Sequence, residues 1–372
     1  MLCVLPLPSP ARAAPAPALV QPALVQCPTP GCNTPLRPGR VAAHLLRCPV
    51  LADIRRQEAH TWFVRGVNTG EGGEGEPDEP LTMEAASLLE ASLERRSGTL
   101  WHAPASSALP DGLGVNERKR ERHRLQRRAI AEQLAELGAL GRGRCIVELG
   151  AGNGELSLAL AEAHRDAVRS DTLVLLDQGS KPKGRSGHGR LAADTALEGH
   201  FASVTRLKVG LEHVDLAALR EEVAPSSSGL VVLAKHLCGA ASDYALRASV
   251  AASVAASADP LELLLATCCH HRCSWRDFVN RPSLRSAGLA DGFGAAEFER
   301  LCRVSSRGVN AQESTVRADV GRRAKDVLDE ARAEYLRSHG FEARLSTFVD
   351  ASVTPENVLL IARRRRGGSE GL

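Results

Sequence analysis

Aromatic side chains are scarce in this 372-residue sequence, where Phe, Trp and Tyr make up 3% of residues against 43% hydrophobic residues in all. We therefore expect an aliphatic core. No apolar run reaches the roughly 20 residues that span a bilayer. The Ala/Pro-rich start, residues 1–25, lacks the features of a secretory signal, and a net charge of +3 is too small to indicate nucleic-acid binding by itself. These absences predict a protein of the nucleus or cytoplasm, without membrane contact, that begins with a disordered arm.

Ten cysteines stand out in a chain without a secretory signal, and they indicate metal ligands or plain thiols more than disulfides. Residues 26–49 hold four candidate metal ligands. Cys27 and Cys32 lie on a Pro/Gly-rich turn, and His44 and Cys48 share one face of a predicted helix. Such a set suits tetrahedral zinc, and so short a segment would hardly fold without a metal. Two loop thiols beside a surface helix are the alternative. The candidate zinc ligands are Cys27, Cys32, His44 and Cys48.

A glycine turn between a predicted strand and a predicted helix is the chain's central motif. The apolar run 145–149 ends in glycines at every second position, and apolar residues at helical spacing follow. Such a helix N-terminus directs unpaired N–H groups towards a ligand. The G-x-G-x-G spacing differs from the G-x-G-x-x-G of dinucleotide-binding turns and is typical of class I S-adenosylmethionine-dependent methyltransferases, with chance glycines in a structural turn as the alternative. The candidate cofactor-binding residues are Glu148, Gly150, Gly152, Asn153 and Gly154.

Strands and helices alternate from residue 144 onwards, which predicts a parallel sheet wrapped by helices. We expect an α/β, Rossmann-like class I methyltransferase fold with a seven-stranded, mostly parallel sheet and a terminal hairpin. The predicted strands cover residues 144–149, 172–176, 204–209, 230–234, 261–266, 343–349 and 357–362. Asp177 ends the second strand, where this fold holds the ribose hydroxyls of a nucleoside cofactor, and Asp215 follows the third. The alternative for Asp177 is that it starts a turn.

Lys235 and His236 follow the fourth predicted strand, at the edge where an open α/β sheet binds its ligand. They are our candidates for the catalytic groups, because methyl transfer to a weakly acidic hydroxyl needs a base or a cation beside it. Phosphate binding by Lys235 and a structural role for His236 are the alternatives. The sequence does not identify the general base.

The segment 268–273 follows the fifth strand and holds five potential metal ligands in six positions. Adjacent ligands usually point apart, so a complete zinc site would need a further residue such as Cys238 or Cys302. We favour a metal-free loop that binds the backbone of an RNA substrate. Its candidate RNA contacts are His270, His271 and Arg272.

Positive charge is concentrated locally despite the small net charge. Residues 118–128 hold seven Lys and Arg residues in eleven positions and begin a predicted helix, and residues 363–366 are all arginine. Phosphate contact, a solvated helix face and a nuclear-import signal all fit such runs, and the sequence does not rank them. The Gly-rich loop 178–190 beyond the second strand adds three candidate RNA contacts, Lys181, Lys183 and Arg185.

Several stretches together resemble one family, the eukaryotic tRNA 2'-O-methyltransferases that act on the fourth nucleotide of the acceptor stem. They are CPTPGCNTPLRPGRVAAHLLRCP, FVRGVNTG, VELGAGNGELS, AKHLCGAASDYALR, ATCCHHRCSWRDFV, YLRSHGF and ENVLLIA, in family order over nearly the whole chain. KHLCG with the downstream CCHHRC is far more specific than the glycine turn. The resemblance implies S-adenosylmethionine as cofactor, a tRNA ribose 2'-hydroxyl as substrate and a zinc finger of the CHHC type.

Three positions depart from the family pattern. Cys32 stands where the finger has histidine, although cysteine also binds zinc. Gln178 replaces an arginine after Asp177, and Gly210 stands where an aspartate is usual, which puts one polar contact near the cofactor in question. The rival functions are methylation of a protein or small molecule, and RNA binding without catalysis.

Composition divides the chain into five expected segments. The linker among them is placed by the acidic, Gly-rich stretch 66–80. The expected partner is tRNA; the sequence leaves the oligomeric state open, and a monomer is compatible with it. The segments are a disordered arm (1–25), a zinc finger (26–49), a helix with a flexible linker (50–114), the methyltransferase domain (115–363) and a basic tail (364–372).

Overall fold

Two compact units make up the chain, Met1–His60 and Thr61–Leu372. Within the residues described below, no helix combines the length and the hydropathy needed to cross a bilayer. The candidate RNA contacts Lys181, Lys183 and Arg185 lie outside the described residues. The computed structural model describes residues 23–29, 32–70, 81–96, 109–110, 112–178, 192–256, 259–290, 292–309 and 316–364.

The smaller unit is built around thiols rather than around an apolar core. Its elements are the antiparallel strands β1 (Val25–Gln26) and β2 (Pro35–Leu36) and the helices α1 (Val41–Leu45) and α2 (Pro49–Gln57). Three cysteine side chains form the buried centre, with partly buried aliphatic side chains around them. So small a cluster buries too little apolar surface to hold a fold by itself, which favours a metal-dependent unit.

The larger unit contains a seven-stranded sheet. Its strands are β3 (Cys145–Leu149), β4 (Thr172–Asp177), β5 (Ser203–Lys208), β6 (Leu230–Cys238), β7 (Leu261–Cys268), β8 (Glu342–Thr347) and β9 (Val358–Arg364). The order across the sheet is β5-β4-β3-β6-β7-β9-β8. The first five strands of this order are parallel, and β9 runs antiparallel to both β7 and β8. The predicted class I fold with its terminal hairpin is therefore confirmed.

Helices cover both faces of the sheet, as a buried parallel sheet requires. They are α3 (Met83–Arg95), α4 (Val115–Glu136), α5 (Glu155–Ala163), α6 (Arg165–Val168), α7 (Ala192–Leu197), α8 (Leu216–Val223), α9 (Ala240–Ala255), α10 (Arg281–Ser286), α11 (Ala295–Ser305) and α12 (Val316–Ser338). Side chains of β3 alternate between two aliphatic layers. Val147 packs with α8, α9 and α12 on what we call the α9 face, and Ile146 packs with α4 and α5 on the α5 face.

A third hydrophobic cluster contains four of the aromatic side chains, Trp275, Phe278, Phe293 and Phe298. The Phe298 ring lies between those of Trp275 and Phe278, with its centroid 5.3 Å from the first and 5.1 Å from the second. Leu89 and Leu93 of α3 are fully buried against the same cluster, together with side chains of α11 and α12. Helix α3 thus belongs to the core of the larger unit, whereas the composition placed it in a connecting segment.

Residues 62–70 correct the prediction of a flexible linker over 66–80. Asn68 is 2% exposed, and its Nδ2 donates to the carbonyl oxygens of Leu211 and Val214, each at 2.8 Å. Phe63 forms a β-bridge with Val214. Buried amide groups that are satisfied in this way are part of a packed structure. Residues 71–80, the remainder of the predicted linker, lie outside the described residues.

Strand β6 is four residues longer than predicted. It continues through Lys235 and His236 to Cys238, with a bulge between Lys235 and Leu237 in its pairing with β7. His236 is the extra residue and adopts the left-handed conformation, with φ at +65°. The sequence pattern missed this extension because a charged pair after an apolar run is typical of a strand end.

Candidate active site

The glycine turn adopts backbone angles that favour glycine. Gly150 and Gly152 have φ values of +65° and +50°. A Cβ on Gly150 would lie 3.2 Å from Leu237 Cδ1, so the turn closes against β6. A Cβ on Gly152 would meet no described heavy atom within 4 Å. The turn is therefore packed on one side and open at Gly152, a shape that fits a ligand lying against bare backbone.

Asp177 and Arg206 fix the open part of this turn. The Gly152 N–H donates to Asp177 Oδ2 at 2.7 Å, which brings the carboxylate at the end of β4 beside the turn as expected of a ribose-binding group. Arg206 Nη1 donates to the Gly152 carbonyl oxygen at 2.8 Å, and Asp194 holds the same guanidinium at 2.7 Å. Asn153 is exposed at the tip of the turn. No sequence signal identifies Arg206, since it lies within an ordinary strand, β5.

Glu148 and Asp215, both predicted to bind the cofactor, are engaged with helix N-termini. Glu148 is buried and accepts hydrogen bonds from the N–H and Oγ of Ser157. Burial raises the pKa of this carboxyl to about 7, against the lowering effect of the Ser157 bonds. Asp215 caps α8 and accepts from the N–H groups of Ala217 and Ala218 at 2.9 and 3.1 Å. Asp215 thus caps α8, and Glu148 joins the end of β3 to the first turn of α5.

Glu212 was not identified from the sequence. A Cβ on Gly210 would lie 2.6 Å from both carboxylate oxygens of Glu212, which therefore fill the space where the family usually has an aspartate side chain. Gln178 Nε2 donates to the same carboxylate at 3.4 Å. The two departures from the family pattern thus meet in one contact. The backbone of Glu212 is held in turn by the Asn68 N–H, at 3.1 Å from its carbonyl oxygen.

Lys235 lies beside two histidines. Its Nζ is 2.9 Å from His236 Nε2 and 3.4 Å from His123 Nδ1 of α4. Burial, and then the positive charge of Arg127, lower the pKa of Lys235 to about 8. Burial and the charge of Lys235 lower the pKa of His236 to about 4, so this ring is neutral at pH 7. The arrangement holds a lysine that exchanges its proton near physiological pH.

The basic run on α4 contributes two residues to this site. His123 and Arg127 are four residues apart, so they share a helix face, and Arg127 forms an ion pair with Glu155 at the start of α5. Other arginines of the run form surface pairs, such as Arg128 with Glu132 at 2.7 Å, and residues 118–120 are exposed. The helical spacing of His123 and Arg127 could have identified the inward face of the run.

The loop after β7 meets the end of β6, as the sequence predicts. A Cβ on Gly239 would lie 2.3 Å from the Arg272 carbonyl oxygen, so the two loops touch through their backbones. His271 and Arg272 are exposed. His270 was predicted to contact RNA, and that prediction is wrong. It is 2% exposed, and its Nε2 lies 2.7 Å from Asp329 Oδ1.

The buried His270 belongs to a charged network behind the loop. Asp329 also accepts from Thr267 Oγ1 at 2.9 Å and faces Arg332 at 3.4 Å. Arg332 Nη2 in turn pairs with Asp243 of α9 at 2.8 Å and also donates to Cys273 Sγ at 3.0 Å. The charged side chains and His270 are 1% exposed or less, whereas Cys273 is half-buried. The network fixes the inner side of the loop and leaves His271 and Arg272 outside.

In the smaller unit, the four predicted zinc ligands converge. The ligand atoms of Cys27, Cys32, His44 and Cys48 all lie within 4.8 Å of one another. Cys32 Sγ is 3.6 Å from His44 Nε2. Tetrahedral zinc with bond lengths of about 2.0 to 2.3 Å separates its ligands by roughly 3.5 to 3.8 Å, so this donor set fits the ion.

Comparison with known proteins gives the following matches. The family model described as Methyltransferase TRM13 matches residues 125–316 and 313–363. A human protein, "tRNA:m(4)X modification enzyme TRM13 homolog", is 26% identical over 87% of this chain and 83% of its own length. The TRM13 enzyme of Kluyveromyces lactis is 25% identical over 83% and 80%. Among solved structures, an O-methyltransferase family protein from Burkholderia thailandensis is 15% identical over 68% of this chain and 60% of its own, with a TM-score of 0.33.

Proposed function

Because the chain belongs to the TRM13 methyltransferase family, we propose that it transfers a methyl group from S-adenosylmethionine to a tRNA ribose, at the 2'-hydroxyl of the fourth acceptor-stem nucleotide. Its relatives carry names as tRNA modification enzymes and align over most of both chains. The observation that carries the proposal is the contact between the glycine turn and the end of β6, which holds Lys235, through Gly150 and Leu237. A cofactor site and a basic group thereby share one edge of the sheet.

The residues around the glycine turn fit a nucleoside cofactor. Gly152 offers backbone with open space above it, and Asp177 lies beside it at the end of β4. Glu212 supplies the carboxylate that Gly210 lacks, held by Gln178 and by the backbone of residues 62–70. S-adenosylmethionine supplies a methyl group already activated on a sulfonium. The turn, Asp177 and Glu212 therefore have to bind and orient rather than to activate.

Lys235 is the proposed general base. A ribose hydroxyl is a weak acid, so its proton must leave as the oxygen bonds to the methyl carbon. With a pKa of about 8, Lys235 is partly neutral near pH 7 to 8 and takes that proton on Nζ. The neutral His236 ring, 2.9 Å from Nζ, orients the amine by hydrogen bonding. Arg127 keeps the pKa of Lys235 low through its positive charge.

Exposed basic side chains around the site are the proposed tRNA contacts. His271 and Arg272 project from the loop after β7, and residues 118–120 of α4 add positive charge that suits phosphates. Lys181, Lys183 and Arg185 complete the proposed set, although they lie outside the described residues. The smaller unit is a zinc finger that binds its ion through Cys27, Cys32, His44 and Cys48. For the domains we propose the finger at 26–49 and a methyltransferase domain at 115–363, to which α3 and residues 62–70 add packed structure.

A tritiated-methyl assay on unmodified tRNA tests this function. We expect label on the ribose of nucleotide 4, located by nuclease digestion and mass spectrometry. The matched control is the same tRNA with 2'-deoxyribose at that nucleotide, which should accept no methyl group. Tight tRNA binding without transfer would identify an RNA-binding homologue instead, and transfer that is independent of RNA would identify another substrate. Label on a base, with the deoxy control still active, would reject the 2'-hydroxyl as the acceptor.

A further inference from the structure

Three thiols converge where β6 and β7 end. The sulfur atoms of Cys238, Cys268 and Cys269 all lie within 4.8 Å of one another. The closest pair, Cys238 and Cys268, is 3.6 Å apart. Cys268 is buried, and the other two are half-buried. The fourth cysteine of this region, Cys273, faces Arg332 instead, at 3.0 Å from Nη2.

Backbone geometry produces this convergence. Cys238 and Cys268 are direct partners in the β6–β7 register, beyond the bulge at His236. Successive side chains of a strand point to opposite faces, so Cys269 would ordinarily point away from Cys268. Cys269 instead has φ at +46°, outside the range that suits most L-residues, and the chain turns there. Among the described residues, three non-glycine residues have positive φ, and two of them, His236 and Cys269, lie at this site.

Such geometry costs free energy unless something else stabilises it. A non-glycine residue in the left-handed region costs on the order of 1 kcal/mol, and such strain is concentrated at functional sites. The backbone contact between Gly239 and Arg272 holds the two loops at a separation that brings the thiols together. Three neutral thiols gain little from one another, since S–H groups are weak hydrogen-bond donors. A soft cation is the ligand for which three adjacent sulfurs are suited.

We propose that Cys238, Cys268 and Cys269 bind a thiophilic divalent cation, with zinc as the expected ion, in the methyltransferase domain and separate from the finger. Zinc–sulfur bonds of about 2.3 Å place thiolates roughly 3.8 Å apart, close to the measured pair. Binding releases the three thiol protons to solvent. Three protein ligands leave one coordination position for water or substrate. The ion links the end of β6, which holds Lys235, to the end of β7 and the loop that follows it, so it stabilises the site that the proposed methyl transfer uses.

Zinc content of the purified full-length protein tests the site. Inductively coupled plasma mass spectrometry should find two zinc ions per chain, one for each cluster. Cys238→Ala and Cys269→Ala, at half-buried positions, should each lower the content to one, and so should Cys48→Ala in the finger. The double variant Cys48→Ala/Cys238→Ala should hold none. Cys145→Ala, which removes a buried thiol outside both clusters, is the matched control and should retain two. Thermal melting of each variant checks that it is folded.

Cobalt substitution gives a readout independent of activity. Cys48→Ala should retain the intense near-ultraviolet sulfur-to-cobalt absorption, and the double variant should lose it. Zinc content unchanged in both Cys238→Ala and Cys269→Ala would overturn the proposal, and so would a Cys238–Cys268 disulfide in protein purified under reducing conditions. A wild-type content of one that falls to zero in Cys238→Ala would support this site and reject the finger. Methyl transfer is measured separately, so failure of this site and failure of the proposed function are distinguishable.

Discussion

The pH dependence of methyl transfer tests the role of Lys235 most directly. If the neutral amine is the base, the rate follows its deprotonated fraction. With a pKa of about 8, this fraction is about one-tenth at pH 7, one-half at pH 8 and nine-tenths at pH 9. The single-turnover rate at saturating cofactor and tRNA should therefore rise about tenfold for each pH unit below 7 and level off above pH 9.

His236 predicts a different profile if it is the base. Burial and the neighbouring Lys235 lower its pKa to about 4, so the ring is already neutral throughout pH 6 to 9. A rate controlled by His236 would be flat over that range. The two candidates, 2.9 Å apart, are thus separated by the shape of one curve. A flat profile from pH 6 to 9 would refute the assignment of Lys235.

The variant Arg127→Gln should shift the pKa of Lys235 in a known direction. Arg127 lowers the pKa of Lys235, and its ion-pair partner Glu155 raises it. Removing the arginine leaves Glu155 unopposed, so the midpoint of the profile should move above 8 while the plateau rate at high pH is retained. Arg128→Gln is the matched control, because Arg128 is an exposed residue on the same helix, paired with Glu132. Equal midpoints in both variants would contradict electrostatic control by Arg127.

Four further changes probe the other parts of the site. Gly152→Arg combines an unfavourable φ of +50° with a side chain in the open space, so calorimetry should detect no S-adenosylmethionine binding to the folded variant. Glu212→Gln removes a charged acceptor and should weaken cofactor binding by roughly tenfold with kcat retained. If the imidazole ring is needed, His236→Gly and His236→Ala should lose turnover to the same extent. If turnover is retained in the glycine variant alone, the left-handed backbone at position 236 is what matters and the ring is not. Asp329→Asn breaks a buried charge network and should lower the free energy of unfolding by about 3 kcal/mol, read from denaturant midpoints.

Local pattern was sufficient for the sheet and for the residues at strand ends. Apolar runs followed by glycine or aspartate predict β3 and β4, and neighbouring parallel strands end at a common edge. The sequence therefore predicts Asp177 and Lys235 near the turn, and Asp177 indeed accepts from the Gly152 N–H. The prediction of a flexible linker is wrong at Asn68. Its side chain donates to the carbonyl oxygen of Leu211, 143 residues away, and local composition carries no information about so distant a partner.

Residues that depend on distant partners were missed or misassigned for the same reason. His270 resembles its exposed neighbour His271 in sequence, and Asp329, 59 residues further on, decides that one is buried. In the sequence nothing distinguishes Glu212 from other acidic residues. Only the structure shows that its carboxylate occupies the space beside Gly210. The departures at 178 and 210 therefore indicate a relocated carboxylate rather than a lost one, which supports a functional cofactor site.

The bulge at His236 explains why the catalytic candidates face α4. Alternation along β6 would place Lys235 and Leu237 on the same face of the sheet. One extra residue reverses the order after Lys235, so Leu237 packs into the α9 face and against the Gly150 turn, while Lys235 meets His123 on the other side. In a regular strand Lys235 and Leu237 would lie on the same face, so either Leu237 could not pack against the Gly150 turn or the Lys235 amine could not reach His123. The left-handed His236 is thus the feature that allows one strand both to support the proposed cofactor turn and to present the proposed base.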